Sequence, residues 1–98
     1  VYLFAIFDRK MKQYQQQVVA EVNALAYLRN LADGVKQAEG SLISLHPEDF
    51  DVMSLGELDR ETGVITPAIP PRLVENVAEL MRSATAPLER GPQLRAEA

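Results

Sequence analysis

Val1-Tyr2-Leu3-Phe4-Ala5-Ile6-Phe7, followed by the charged Asp8-Arg9-Lys10 and then by Tyr14 to Val19, is the stretch that decides the fold. An unbroken apolar run rich in aromatic and β-branched side chains reads as a strand buried on both faces, and so central in its sheet. The polar turn after Phe7 sends the chain back, and residues 14–19 are expected to pair antiparallel with the first strand. No positive segment precedes the apolar opening and Asp8 follows it, which predicts a strand and not a secretory signal.

Beyond this hairpin, Asn23 is placed to accept the free N–H groups of a helical first turn. Leu25, Leu28, Leu31, Ala32 and Val35 then fall at helical spacing, and Gly34 is a natural stop, which predicts a helix over about 24–33. Residues 35–45 read as a connection containing the short apolar Leu42-Ile43-Ser44-Leu45. Phe50 to Leu58 reads as a third strand, Asp59 to Gly63 as a hairpin turn, and Val64 to Thr66 as a fourth strand ended by Pro67. Pro70-Pro71 suits the first turn of a second helix carrying Leu73, Val74, Val77, Leu80 and Met81 on one face.

The expected fold is α+β, with about four antiparallel strands in the order ββαββ, one packed helix, a C-terminal helix and a mobile tail. Its predicted parts are a compact domain over 1–66, a proline-led amphipathic helix over 67–82 and a disordered tail over 83–98.

With 98 residues, 47% of them hydrophobic and 24% charged, the chain has material for one core and not for two. The absence of cysteine removes disulfides, thiolate metal sites and thiol nucleophiles. No apolar run approaches the roughly 20 residues that span a bilayer, so no membrane role is expected. The net charge of −4 is unevenly placed. Residues 46–61 carry Glu48, Asp49, Asp51, Glu57, Asp59 and Glu61 against Arg60 alone, whereas residues 1–36 are mildly basic. An acidic total therefore leaves room for a local positive patch.

Catalytic chemistry has few candidates. His46 is the only histidine, and its neighbours Glu48 and Asp49 allow either an acid–base pair or a simple turn before the third strand. No nucleophile or oxyanion motif accompanies it, so no enzyme activity is expected. The spacing of the acidic residues does not match a calcium loop, and neither Gly34 nor Gly40 sits in a phosphate-binding loop; no metal and no cofactor are predicted. The more suggestive group is Arg9, Lys10 and Lys12 beside Phe7 and Tyr14. A basic turn between aromatic-bearing strands can follow a phosphate backbone while a ring stacks on unpaired bases, although most such turns are merely solvated. The second helix likewise has two readings, as cover for the sheet or, through Leu73, Val77 and Leu80, as a surface for a partner or a twin chain.

Three segments, Leu3 to Lys10, His46-Pro47-Glu48-Asp49-Phe50, and Leu55-Gly56-Glu57-Leu58-Asp59 followed by Thr62-Gly63, occur in this order. Together they resemble the small non-structural protein of gokushoviruses, the single-stranded DNA phages of the microvirus group, over roughly residues 2–66. The resemblance implies a non-virion protein of the host bacterial cytoplasm, without catalytic residues, acting in viral DNA replication at the switch to making and packaging single-stranded genomes. Its matching positions include His46, Pro47, Glu48, Asp49 and Gly56; Pro47 and Gly56 are read as structural, the latter as a bulge or close backbone approach. The extension Gln37-Ala38-Glu39-Gly40 departs from the pattern.

Two functions follow as expectations. One is an accessory role in single-stranded DNA synthesis or packaging, through single-stranded DNA or through phage or host replication proteins. The other is a protein-interaction or self-associating module with no direct DNA contact.

Overall fold

Residues 1–84 are described by a computed structural model, and within them β1 (Tyr2–Asp8) organises the sheet. Its residues Phe4, Ala5, Ile6 and Asp8 are all buried. The return from β1 is two short pieces, β2 (Gln13–Tyr14) and β3 (Val19–Glu21), where one strand over 14–19 was expected. Both pair antiparallel with the same edge of β1, with Phe7 opposite Tyr14 and Phe4 opposite Val19. The pairing offset differs by two residues between them, so the Gln-rich stretch bulges out of the ladder.

On the other side of β1 lies β4 (Phe50–Leu58), and beyond it β5 (Ile65–Asn76), giving the order β2-β1-β4-β5 with every pairing antiparallel. The β4–β5 turn is built by Asp59, whose carboxylate accepts the Glu61 and Thr62 amides at 2.9 and 3.3 Å, while Gly63 takes φ +78°. These hydrogen bonds hold the Asp59 carboxyl below the usual carboxylate range.

The expectation that Pro67 ends the strand and Pro70-Pro71 opens a helix is corrected. β5 runs on through all three prolines, so the expected 66/67 boundary falls inside a strand. Proline removes a ladder N–H, which a central strand cannot spare; β5 is an edge strand, where the loss is tolerated. Ser54 pairs with Arg72 and Gly56 with Pro67, so the four residues 68–71 oppose Leu55 alone and bulge out of the ladder. Gly56 is required there. Its φ is +149°, and a Cβ would overlap the Thr66 carbonyl oxygen and lie 2.9 Å from Pro67 Cα.

Helix α1 (Ala24–Gln37) is capped by the Asn23 side chain, which accepts the Ala26 amide at 2.8 Å. It extends past Gly34, where nothing blocks the helix, and the positive φ after it falls to Gly40 at +92°. The buried face is Tyr27, Ala32 and Val35; Leu25, expected on the stripe, is 66% exposed because Tyr27 stacks on Phe4 with centroids 4.9 Å apart. Burial pushes the Tyr27 phenol up from its ordinary value. The connection holds a one-turn helix α2 (Leu42–Leu45), capped by Ser41, and a 3-10 turn over Pro47–Asp49.

Helix α3 (Val77–Ala84) begins at Asn76, whose Oδ1 accepts the Ala78 amide at 2.9 Å. Val77 is fully buried in a core with Phe4, Ile6, Tyr27, Val35, Phe50 and Val52, and Leu80 is buried too, at 8% exposure. The alternative of a partner surface is therefore corrected at Val77 and Leu80, which are buried; Leu73 lies on β5, 62% exposed. Of the tail expected over 83–98, Ser83 and Ala84 close α3, and residues 85–98 lie outside the described residues. Among the described residues no helix is long and apolar enough to cross a membrane.

Candidate nucleic-acid interface

Side chains alternate across a strand, so the residues between the core positions of β1 and β4 point to the opposite face of the sheet. Register places Phe7 beside Tyr14, and Ala5, Met53 and Leu73 in one cross-strand row on that face. Packing from α1, α2 and α3 reaches the core through Tyr27, Ile43, Val77 and Met81, all on the Phe4–Val52 side. Among the described residues no helix covers the Phe7 side. On this face Phe7 and Met53 are half-buried and Leu73 is exposed, while Ala5 is buried and Asp51 stands opposite Phe7.

One end of this face carries the basic turn. The buried Asp8 builds it: its carboxylate accepts the Lys10 and Met11 amides at 2.9 and 3.1 Å, and its carbonyl accepts the Lys12 amide at 2.7 Å. Lys12 closes the turn at φ +59°, a region that a non-glycine residue enters rarely. Lys10 and Lys12 are exposed, and neither ammonium has an ion-pair partner among the described residues. Beside them Tyr14, 40% exposed, meets Phe7 edge-on with centroids 5.0 Å apart. The pair fixes the tyrosine ring and leaves part of it open to a flat apolar group.

Arg9 is engaged differently. Its guanidinium donates to the Glu48 carbonyl and lies 3.6 Å from the Asp51 carboxylate, while its amide donates to the Asp49 carbonyl at 2.9 Å. The Asn76 side-chain amide reaches the same place, 2.9 Å from Asp51 Oδ1 and 3.2 Å from the Glu48 and Phe50 carbonyls. Arg9 thus ties the basic turn to the Pro47–Asp49 turn and to the start of α3. The residue that closes this junction, Asn76, has a local signal: Asn followed three residues later by Glu79, the pattern of a capping box.

His46, Glu48 and Asp49 also come together, with ligand atoms all within 4.8 Å and His46 Nδ1 3.9 Å from Glu48 Oε2. His46 and Glu48 are solvent-exposed, and the backbone explains the geometry, since the Asp49 amide donates to the His46 carbonyl at 3.0 Å. The three offer one imidazole and two carboxylates on a single turn. The arrangement presents the Glu48 and Asp49 carbonyls to Arg9.

Gly56 lies at the other end of β4, far along the strand from the basic turn, and it faces a cleft of about 470 Å³ at the β5 bulge. Lys10, Lys12, Phe7 and Tyr14 are therefore the residues that the fold gathers into one surface.

A family described as Phage ORF5 protein matches this chain over residues 1–80, from β1 through β5 into α3. No curated protein and no solved structure matches it. The matched segment contains the whole sheet, the basic turn and the junction at Arg9, and on that match the chain belongs to the Phage ORF5 protein family.

Proposed function

We propose that this chain is a non-structural accessory protein of the gokushovirus type, which works in the host cytoplasm in viral single-stranded DNA synthesis or packaging by binding single-stranded DNA. The reading rests on one observation above the others: an exposed Tyr14 ring, held by Phe7 on an open sheet face, beside two unpaired ammonium groups. Single strands offer unstacked bases as well as phosphates, and a ring flanked by cations answers both; a duplex hides its base faces. Membership of a phage protein family supplies the setting. In this reading Tyr14 stacks on a base, Lys10 and Lys12 contact phosphates, and Arg9 positions the turn.

Fluorescence anisotropy of a labelled single-stranded oligonucleotide and of its duplex, at two salt concentrations, tests the reading. Salt-sensitive binding that favours the single strand supports it. Absence of binding at low salt refutes it.

The apolar row of Met53 and Leu73 on the same face favours a second reading, self-association or protein docking through the open sheet. Sedimentation of the free protein separates the two: a dimer dissociated by Leu73→Asp supports this reading, and a monomer at high concentration counts against self-association.

A further inference from the structure

The cleft at the β4–β5 bulge lies away from the basic turn, on the side of the sheet that carries Phe4 and Ser54. Ser54 is the feature that calls for an explanation. It is 7% exposed, on a strand whose other core-facing residues Phe50 and Val52 are apolar, and its hydroxyl makes no hydrogen bond among the described residues. Buried polar groups are nearly always satisfied, so this hydroxyl is available to whatever occupies the cavity that it lines. Ser54 lines both the cleft and a smaller adjoining recess of about 200 Å³.

Two side-chain donors meet there. Arg72 is the cross-strand neighbour of Ser54, lines both cavities, and has no ion-pair partner among the described residues. The recess also touches Ala24, the first residue of α1, a helix with no acidic residue in its first turn to offset the positive end of its dipole. A guanidinium beside a buried hydroxyl suits an anion.

The rest of the cleft selects something larger. Tyr2 is 40% exposed and lines both cavities, and its ring is stacked on no other ring among the described residues. Pro71 adds a second apolar wall. Glu57, the register partner of Tyr2, stands at the far end, exposed and without an ion pair. The β1 partners of Glu57 and Ser54, Tyr2 and Phe4, are two positions apart, because Leu55 is bulged out of the register, so Glu57 lies about 7 Å along the sheet from Ser54. Glu57 and Arg72 thus give the one cleft an acceptor and a donor at different strand positions. The cavity falls within the range of roughly 300–1,000 Å³ typical of small-ligand sites.

We propose that the cleft binds one nucleotide, with its phosphate at Arg72 and Ser54, its base on Tyr2, and the donor edge of that base at Glu57. A carboxylate accepts two adjacent N–H groups best, so guanine, with N1–H and the 2-amino group side by side, is the preferred base. A free nucleoside monophosphate and one unit of a DNA strand share this chemistry. The site does not depend on the Phe7–Tyr14 interface.

The test is a titration of ¹⁵N-labelled protein with deoxyguanosine 5′-monophosphate, followed by amide chemical shifts and repeated on Arg72→Gln and Glu57→Gln. Saturable shifts at Ser54, Gly56 and Arg72 are expected, with affinity about tenfold lower in Arg72→Gln. Glu57→Gln is expected to erase the preference over thymidine 5′-monophosphate. A Lys10→Ala/Lys12→Ala variant, altered only at the other interface, is expected to bind the nucleotide unchanged, so this site and the single-strand interface stand or fall separately. Displacement of the nucleotide by a single-stranded oligonucleotide assigns the site to a strand; its absence assigns it to the free nucleotide. No saturable shift at the cleft up to on the order of 10 mM, or shifts indifferent to Arg72→Gln, overturns the proposal.

Discussion

Replacing Gly56 with alanine tests the path of β5. The glycine sits at φ +149°, and a Cβ would run into the Thr66 carbonyl oxygen and approach Pro67 Cα to 2.9 Å. Two costs add. Holding a non-glycine residue in that backbone region costs about 1–3 kcal/mol, and forcing two backbones apart in a packed ladder costs a similar amount. A domain of this length has about 5–15 kcal/mol of stability in all. Gly56→Ala is therefore expected to destabilise by about 3–4 kcal/mol, lowering Tm by roughly 15 °C or more. Gly34→Ala is the matched control. That glycine lies inside α1 with nothing within 4 Å of the added methyl, so the exchange is expected to stabilise by about 0.5–1 kcal/mol. Urea unfolding followed by far-UV circular dichroism reads both, as shifts of the midpoint at constant slope. If Gly56→Ala unfolds within about 0.5 kcal/mol of the parent, β5 does not approach β4 at Gly56, and the bulge and its cleft lose their basis.

Other outcomes are equally specific. Leu80→Ala empties part of the core and is expected to cost about 2–5 kcal/mol by urea unfolding; a stable protein that has merely lost a binding partner would restore the view of α3 as a surface. Tyr27→Phe is expected to leave stability at neutral pH within about 0.5 kcal/mol, because the phenol makes no hydrogen bond among the described residues. Since burial raises the folded pKa of Tyr27, its contribution is present below the phenol's ordinary value and is lost as pH rises through the folded one; a midpoint measured across the alkaline range should flatten in Tyr27→Phe. Asp59 has the opposite sign. Its folded pKa is lowered, so the stability it lends is full above the ordinary carboxylate value and disappears as pH falls through the folded one, and Asp59→Ala should show a shallower acid limb.

Local rules carried the reading where the structure is local. The β1 turn, the Asn23 cap, β4 and the Asp59–Gly63 hairpin each depend on residues a few positions apart, and each was legible. β5 was not, because Pro67, Pro70 and Pro71 end a strand by any local criterion; only the edge position of β5, a property of the whole sheet, relaxes that rule. The start of α3 moves from Pro70 to Asn76, and of its two readings the structure keeps the one in which Val77 and Leu80 cover the sheet. The candidate interface divides the same way. Lys10, Lys12 and Tyr14 were found because one hairpin gathers them, whereas the engagement of Arg9 was hidden in its long-range partners Glu48 and Asp51. That the Phe7 face is open was also beyond sequence, since β1 is apolar on both sides and nothing in its pattern says which side the helices cover.

Amide chemical-shift mapping of a short single-stranded oligonucleotide on the labelled protein tests the central claim most directly. The account predicts that the largest shifts fall on Phe7, Lys10, Lys12 and Tyr14, that Tyr14→Ala weakens binding by about 1–3 kcal/mol, and that Lys10→Ala/Lys12→Ala makes the salt slope shallower by about 1.4. Shifts confined to the outer surface of α1, or binding unaltered in both variants, would contradict it.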